Sequence, residues 1–230
     1  MSIPPKTSRT ARPKTRKRSR RHSPEEARRE IMDSAVRFFW EHDFRDLTIG
    51  ELMGDTTLSR PAFYQYFRDL HELIEALLQE VESVMHQTAH PWISGEGEPI
   101  AALRESQKGV VQVCVDHGPI FRVVAEVAPL DERLEQTWSV FLERWDVLVE
   151  ARIKVQQGQG LIAKSLNPRR IANALNSLDT VLLIAEFGRR PQGDPEAVLD
   201  TLHHIWVATL YSQPPRELRS SNGTYRTSDN

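Results

Sequence analysis

The chain has 230 residues and a formal net charge of −2, from 30 lysine or arginine and 32 aspartate or glutamate residues. This length predicts one small domain and one larger domain. The single cysteine, Cys114, excludes an internal disulfide and a cysteine-based zinc site, and its apolar neighbours predict a small buried side chain. Neither a transmembrane run nor the apolar segment of a secretory signal is present, so we expect a cytoplasmic protein with no membrane partner.

The charge is unevenly distributed along the chain. Residues 1–22 contain nine lysine or arginine residues and no acid, which leaves −11 for the remainder. A basic arm on an acidic body predicts contact with nucleic acid, and Arg16, Lys17 and Arg18 are its candidate DNA-binding residues. A tail that serves only solubility is the alternative. We expect residues 1–22 to be disordered.

Helical periodicity runs through nearly the whole chain, without sustained two-residue alternation, and predicts an all-α fold. The capping box Ser23-Pro24-Glu25-Glu26 predicts a first helix over 24–42. Thr48 and Asp69 are each followed three residues later by glutamate, which predicts two further helix starts. The helix from Asp69 is expected to end at about residue 90, before Pro91.

A loop over residues 94–99 separates these elements from further helices, predicted over 99–116, 119–127, 130–157, 168–188 and 195–212. The break between the first two is expected at Gly118-Pro119. Residues 213–230 contain two prolines and many polar residues, and we expect them to be disordered.

Residues 48–67 have the length of a helix-turn-helix, in which the N-terminal residues of the second helix reach the edges of DNA bases. Thr48 begins the first helix, residues 56–58 supply the turn with Leu58 as a buried plug, and Ser59 is predicted to cap the second helix with its hydroxyl. Phe63 and Phe67 lie four residues apart and are predicted to face the core.

The remaining residues of the second helix have side chains suited to DNA. Arg60 suits guanine, Gln65 suits adenine, and Ala62 suits a thymine methyl group. The hydroxyls of Tyr64 and Tyr66 suit phosphate oxygens. The full set of predicted DNA-binding residues in this unit is Thr48, Ser59, Arg60, Pro61, Ala62, Tyr64, Gln65 and Tyr66. An aromatic core stripe is the alternative explanation of residues 63–67 taken alone.

This signature, with the amphipathic helix over 28–42 before it, resembles the TetR family of one-component transcriptional repressors. The resemblance implies a three-helix DNA-binding domain over 23–68 and a larger effector-binding and dimerisation domain over 69–212. Its partners would be a double-stranded DNA operator, a small-molecule effector and a second copy of the chain. Thr57 and Leu70 stand where the family usually has glycine and a phosphate-binding lysine, so the basic tail is the expected substitute for that lysine.

Trp138 and Trp145 lie seven residues apart on one predicted helix face, and Asn176 and Asp179 lie on the next helix. Aromatic walls with a few polar groups are typical of small-molecule pockets, although a core of hydrogen-bonded tryptophans is the alternative. The segments around these residues and Trp206 resemble the mycobacterial ethionamide-regulator branch of the family. That resemblance implies that all five residues bind the effector. An acid at position 179 would favour a cationic or hydrogen-donating ligand, unless its carboxylate is solvated.

The last two predicted helices carry apolar residues over a wide arc, which favours a homodimer through a four-helix bundle over burial within one chain. Neither metal-ligand spacing nor a phosphate loop, nucleophile elbow or paired carboxylates is found, so we predict no cofactor, metal or catalytic residue.

The sequence therefore predicts a TetR-type DNA-binding regulator, acting as a repressor, that a small and largely apolar effector releases from its operator. Two alternatives from other classes remain: an architectural DNA-binding protein that uses the basic tail, and an all-α carrier or enzyme for small molecules.

Overall fold

The computed structural model describes residues 23–212, and within this range the chain forms helices and no strand, which confirms the all-α prediction. The α-helices are α1 Pro24–Phe39, α2 Ile49–Gly54, α3 Leu70–Ser94, α4 Pro99–Val127, α5 Glu132–Gly158, α6 Pro168–Phe187 and α7 Pro195–Leu210. Short 3-10 helices span Phe44–Asp46, Arg60–Gln65 and Ala128–Leu130. The two tails predicted to be disordered, with Arg16, Lys17 and Arg18, lie outside the described residues.

Side-chain caps set the starts of the first helices. The Ser23 hydroxyl accepts from the Glu26 amide (3.1 Å), and the Glu26 carboxylate accepts from the Ser23 amide (2.8 Å). Thr48 and its partner three residues on form the same reciprocal pair before α2. The Asp69 carboxylate accepts from the Glu72 amide (2.8 Å) at the start of α3. All three predicted caps are confirmed.

The predicted end of α3 at residue 90 is wrong, because the helix continues through Pro91 to Ser94. The hydroxyl of Ser106, which is buried on α4, accepts from the Trp92 amide and donates to the Ala89 carbonyl, both at 3.0 Å. These bonds hold the turn around the proline to α4. The helix ends at Gly95, whose φ of 86° is the left-handed conformation common after a helix.

The predicted break at Gly118-Pro119 is also wrong, because α4 runs unbroken from Pro99 to Val127. A proline inside a helix leaves the carbonyl four residues earlier without its amide donor. The side-chain amide of Gln192 donates to that carbonyl, on Val115, at 2.9 Å. A side chain distant in sequence thus replaces the missing hydrogen bond.

The helices surround a continuous apolar core that links the two parts of the chain. One cluster runs from Phe39 on α1 through Phe63 and Phe67 to Phe121 on α4 and Phe141 on α5. A second, smaller cluster lies between the ends of α3, α5 and α7. None of the helices within residues 23–212 is long and apolar enough to cross a membrane.

Gly118 is required where α4 touches the end of α6. A Cβ added at this position would lie 2.1 Å from the carbonyl oxygen of Phe187, which is backbone and cannot rotate away. We therefore expect Gly118→Ala to lower the free energy of unfolding by about 1 to 3 kcal/mol or more, as overpacked sites do. Gly158→Ala is the matched control, since nothing lies within 4 Å of its added Cβ. Equal urea unfolding curves for the two variants would contradict this account.

Candidate functional site

The segment Arg60–Gln65, which we call the reading segment, is a 3-10 helix where an α-helix was predicted. The predicted cap by the Ser59 hydroxyl is wrong, because the side chain makes no capping hydrogen bond. Pro61 has no amide to donate, and the Ala62 amide already donates to the Ser59 carbonyl at 2.8 Å. The backbone therefore closes this turn without the serine side chain.

Side chains hold the turn that precedes the reading segment. Thr56 donates from its hydroxyl to the Met53 carbonyl (2.9 Å) and accepts from the Leu58 amide (3.2 Å). The Thr57 amide donates to the carboxylate of Glu30 on α1 (2.5 Å). Leu58, predicted to be a buried plug, is half-buried and packs against the core. A turn without the family's glycine is thus tied to the first helix.

The reading segment exposes some of the predicted DNA contacts and covers others. Phe63 and Phe67 are fully buried, as predicted, while Arg60, Pro61, Tyr64 and Gln65 are exposed. Ala62 and Tyr66 are half-buried against the core, so less of each is available to DNA than the sequence indicated.

The exposed polar residues differ in whether their side chains form hydrogen bonds or ion pairs within the protein. Thr48 remains exposed, but its hydroxyl serves the capping box with Glu51. Arg60 and Gln65 make neither a hydrogen bond nor an ion pair with the other described residues. These two side chains are therefore available to a partner.

The first helix is fastened to α2 by polar contacts. The buried Ser34 hydroxyl donates to the Leu52 carbonyl (2.9 Å), and the Arg37 guanidinium pairs with Asp55 (2.7 Å). Hydrogen bonds from Arg37 lower the pKa of the Asp55 carboxyl. The reading segment consequently rests on a frame of two connected helices.

The start of α3, where the family usually has a phosphate-binding lysine, contacts α5 instead. Arg133 donates to Asp69 (3.0 Å) and to Glu75 (2.8 Å), and its hydrogen bond lowers the pKa of Asp69. His71 lies 3.2 Å from Asp131. This surface serves the packing of α3 on α5 within the larger part of the chain.

Polar contacts between the DNA-binding part and the larger part are centred on Arg122 of α4, whose side chain is buried. Its guanidinium donates to the carbonyl oxygens of Phe39 (2.8 Å) and His42 (3.1 Å) at the end of α1. It also donates to the carbonyl of Gly188 after α6 (3.0 Å). We call these contacts the Arg122 clamp.

Carboxylates complete the Arg122 clamp at its solvent edge. Asp43 pairs with Arg122 (3.0 Å) and with Arg189 (2.7 Å), and Glu126 pairs with the same two arginines. The hydrogen bond from Arg189 is the main reason that the pKa of Asp43 falls to about 2. The clamp is therefore charged over the ordinary pH range.

A cavity of about 110 Å³ lies among α3, α4, α5, α6 and α7, and most of its lining residues are apolar. All five predicted effector-binding residues line it: Trp138, Trp145, Asn176, Asp179 and Trp206. The structure thus brings together residues from three helices that the sequence places far apart.

Aromatic rings form the walls of the cavity. Trp138 stacks on Phe141, with ring centroids 5.1 Å apart and planes 8° apart. Phe141 packs in turn on Phe121 of α4 (5.9 Å). Trp145 stacks on His86 of α3 at 4.7 Å. A flat apolar ligand group would find stacking surfaces on several sides.

Polar side chains of the cavity form hydrogen bonds with other side chains of the protein. The Asn176 amide donates to the buried Asp146 (2.8 Å), and the Trp206 indole donates to Asp179 (3.0 Å). Asp179 is half-buried, and burial raises the pKa of its carboxyl to about 7 despite this hydrogen bond. Burial likewise raises the pKa of Cys114 to about 12, consistent with the inert, buried thiol predicted.

Sequence reasoning missed Gln107 of α4 as a cavity residue. It is buried and lines the cavity, with its amide oxygen 2.9 Å from His203 Nδ1. A signal was present, because residue 107 falls at helical spacing with Leu103, Val110 and Cys114, which also line the cavity.

Comparison with known proteins finds two family models along the chain. The model described as "Bacterial regulatory proteins, tetR family" matches residues 31–77, which include α2 and the reading segment. The model described as "Transcriptional regulator EthR, C-terminal domain" matches residues 103–212, which include most of the cavity.

The chain belongs to the TetR family of helix-turn-helix transcriptional regulators. It is 26% identical over 203 residues to the HTH-type transcriptional regulator EthR of Mycobacterium tuberculosis, covering 86% of this chain and 93% of that protein. The EthR of Mycolicibacterium smegmatis is 25% identical over 204 residues, with the same coverage.

Solved structures share the fold of this TetR-family chain. The fatty acid degradation regulator FadR from Bacillus halodurans superposes with a TM-score of 0.70 at 15% identity, covering 84% of this chain and all of that one. Identity this low supports the fold and says nothing about the ligand.

Replacing the buried arginine of the clamp should lower the stability of the protein more than replacing the exposed one. We predict that Arg122→Gln lowers the free energy of unfolding by about 3 to 5 kcal/mol, because it removes the donor of the buried hydrogen bonds to the Phe39 and Gly188 carbonyls. Arg189→Gln, at the half-exposed edge, should cost under about 1 kcal/mol. Urea unfolding of both variants measures the difference, and equal losses would contradict a buried clamp.

The raised pKa of Asp179 predicts a pH-dependent stability. Between about pH 4 and pH 7 the folded chain retains a proton that the unfolded chain has lost, so the free energy of unfolding falls as pH rises. Asp179→Asn removes this dependence. We expect the variant to gain about 2 to 3 kcal/mol on the wild-type chain between pH 5 and pH 8.

Chemical unfolding at several pH values measures this gain. Asp116→Asn, the same substitution at an exposed position of α4, is the matched control. Parallel pH profiles for Asp179→Asn and the wild-type chain would show that Asp179 titrates normally.

Proposed function

We propose that this TetR-family protein is a homodimeric repressor that binds a double-stranded DNA operator in the cytoplasm and is released by a small, largely apolar effector. The observation that carries the proposal is the course of α4. Phe121 of this helix lines the cavity, and the next residue, Arg122, holds the end of α1. One rigid element thus touches both the candidate effector site and the DNA-binding part.

Release follows if the effector and the operator favour different positions of α4. A ligand that displaces Phe121 also moves Arg122, because adjacent residues of a helix move together. The clamp then carries the displacement to α1 and so to the reading segment. The effect is a coupling free energy between two sites, so operator binding must weaken effector binding by the same factor.

Two adjacent helices expose the surfaces that the homodimer would use. On α6 the exposed stripe is Ala174, Leu178, Val181 and Ala185, and on α7 it is Ala197, Thr201, His204 and Ala208. Both stripes have spacings of four, three and four residues, so each lies on one helix face. Val181, which is 70% exposed, is a large apolar side chain that gains from a partner. These features support a four-helix bundle with a second copy.

The dimer would place two reading segments in successive major grooves, roughly 34 to 36 Å apart. Arg60 and Gln65 are the proposed base-reading residues, because both are exposed and uncommitted. Thr48, Ser59, Pro61 and Tyr64, with the half-buried Ala62 and Tyr66, would contact the backbone and groove walls. The basic tail, including Arg16, Lys17 and Arg18, would add phosphate contacts.

Binding to promoter DNA and to random DNA at physiological salt tests the proposal. A sequence reader prefers its own promoter, and deletion of residues 1–22 should weaken both affinities and their salt dependence while the preference remains. Equal affinity of the full chain for the two DNAs would contradict specific repression. Loss of all binding on deletion of the tail would favour the architectural alternative.

Substitutions in the reading segment give a finer prediction. Arg60→Ala should cost about 1 to 3 kcal/mol on the operator and relax the preference at one base position. Tyr64→Phe should weaken binding about equally on all sequences, because a phosphate contact carries no base information. Affinities for an operator and its single-base variants measure both effects. A uniform loss with Arg60→Ala would remove its base-reading role.

A further inference from the structure

Helix α7 holds two polar groups of the cavity close to each other. His203 Nδ1 lies 2.9 Å from the amide oxygen of Gln107, and Trp206 Nε1 donates to Asp179 at 3.0 Å. His203 and Trp206 are three residues apart, about 4.5 Å along the helix and on the same side. The Gln107 amide and the Asp179 carboxylate are therefore held by two residues that lie one helical turn apart on the same side of α7.

Some buried polar atoms of the cavity-lining residues have no hydrogen-bond partner within residues 23–212. Among the described residues, Gln107 Nε2 and Trp145 Nε1 are buried donors without a hydrogen-bond partner. Gln107 is 6% exposed and Trp145 is 9% exposed. Buried donors without partners are rare in folded proteins. Both residues line the cavity, so an acceptor on a ligand there can supply the partner for each donor.

Asp179 adds the opposite requirement. Within residues 23–212 its carboxylate accepts one hydrogen bond, from Trp206, which leaves further lone pairs for a donor. An ionised carboxylate can only accept, whereas Gln107 Nε2 and Trp145 Nε1 can only donate. The ligand must therefore bring a donor and an acceptor to neighbouring positions.

Simple functional groups meet this requirement to different degrees. An amine supplies donors and leaves Gln107 and Trp145 unpaired. An ester supplies acceptors and sets its oxygens against the Asp179 carboxylate. A carboxamide carries an N–H donor and a carbonyl acceptor on the same carbon atom. Because it is neutral, it enters an apolar cavity without the desolvation cost of a charge.

We propose that the cavity selects ligands with a carboxamide group on an apolar body. The amide N–H donates to Asp179, the carbonyl oxygen accepts from Gln107, and Trp145 supplies a second donor in the same cavity. The apolar body lies against the aromatic walls that Trp138, Phe141 and Phe121 form. This inference rests on the proposed function in that the cavity is the effector site.

Three probes built on the same eight-carbon chain test the selection: octanamide, methyl octanoate and octylamine. Each is titrated into the purified full chain at pH 8 by calorimetry. We expect octanamide to bind at least about tenfold more tightly than either of the others, the cost of leaving buried polar groups unpaired. Equal or tighter binding of the ester or the amine overturns the proposal, as does absence of octanamide binding.

Two variants identify the residues responsible. Gln107→Leu should weaken octanamide binding about tenfold, and Asp179→Asn should bring octanamide and methyl octanoate within about threefold of each other, because asparagine also donates. The matched controls are Gln112→Leu and Asp116→Asn, exposed on the same helix α4, which should change neither affinity. Circular dichroism confirms that each variant is folded.

The variants and the DNA measurements separate two kinds of failure. Octanamide binding that is unaffected by both Gln107→Leu and Asp179→Asn overturns the assigned contacts, whatever happens at the operator. If octanamide is selected as expected but does not change operator affinity, the inference about the cavity stands and the proposed release by an effector fails.

Discussion

The buried guanidinium of Arg122 is the contact on which the arrangement of this molecule depends. It binds two carbonyl oxygens at the end of α1 and one after α6, while its own helix lines the cavity. Arginine suits this place because its donors point in several fixed directions from one planar group. Without it, the DNA-binding part would be joined to the larger part by the shared apolar core and by ion pairs such as Arg29 with Glu80 and Asp43 with Arg189.

The cavity shows the opposite balance between stability and function. A half-buried carboxyl at Asp179 with a pKa of about 7, and buried donors at Gln107 and Trp145, are unfavourable for the stability of the fold. Such conflicts between local rules and the fold are concentrated at functional sites. The aromatic walls around them are ordinary core packing. It is the few unsatisfied polar atoms, rather than the apolar faces of the aromatic rings, that carry information about a ligand.

Predictions from sequence succeeded where the determining interaction is local. The caps at Ser23, Thr48 and Asp69 each act over three residues, and all three formed. The burial of Phe63 and Phe67 follows from a spacing of four. The predicted Ser59 cap failed for a reason that was also local, because Pro61 offers no amide at the position where the hydroxyl usually bonds.

The prolines at positions 91 and 119 were misjudged for a different reason. Each was expected to end or break a helix, and each is instead inside one. The groups that hold the helices there come from elsewhere: Ser106 on the next helix, and Gln192, which is 77 residues from the carbonyl that it binds. No local sequence pattern predicts such partners.

The amino-acid sequence alone predicted the helical class, most helix starts, the face of the reading segment that enters the core, and two of the tryptophans that line the cavity, Trp138 and Trp145. These depend on periodicity and on the chemistry of side chains within one helical turn. Which polar side chains form hydrogen bonds with each other depends on the tertiary structure. Trp206 reaches Asp179 across 27 residues, and His203 reaches Gln107 across 96. Hydrogen bonds of this kind depend on how helices pack, and helix packing is a property of the whole chain.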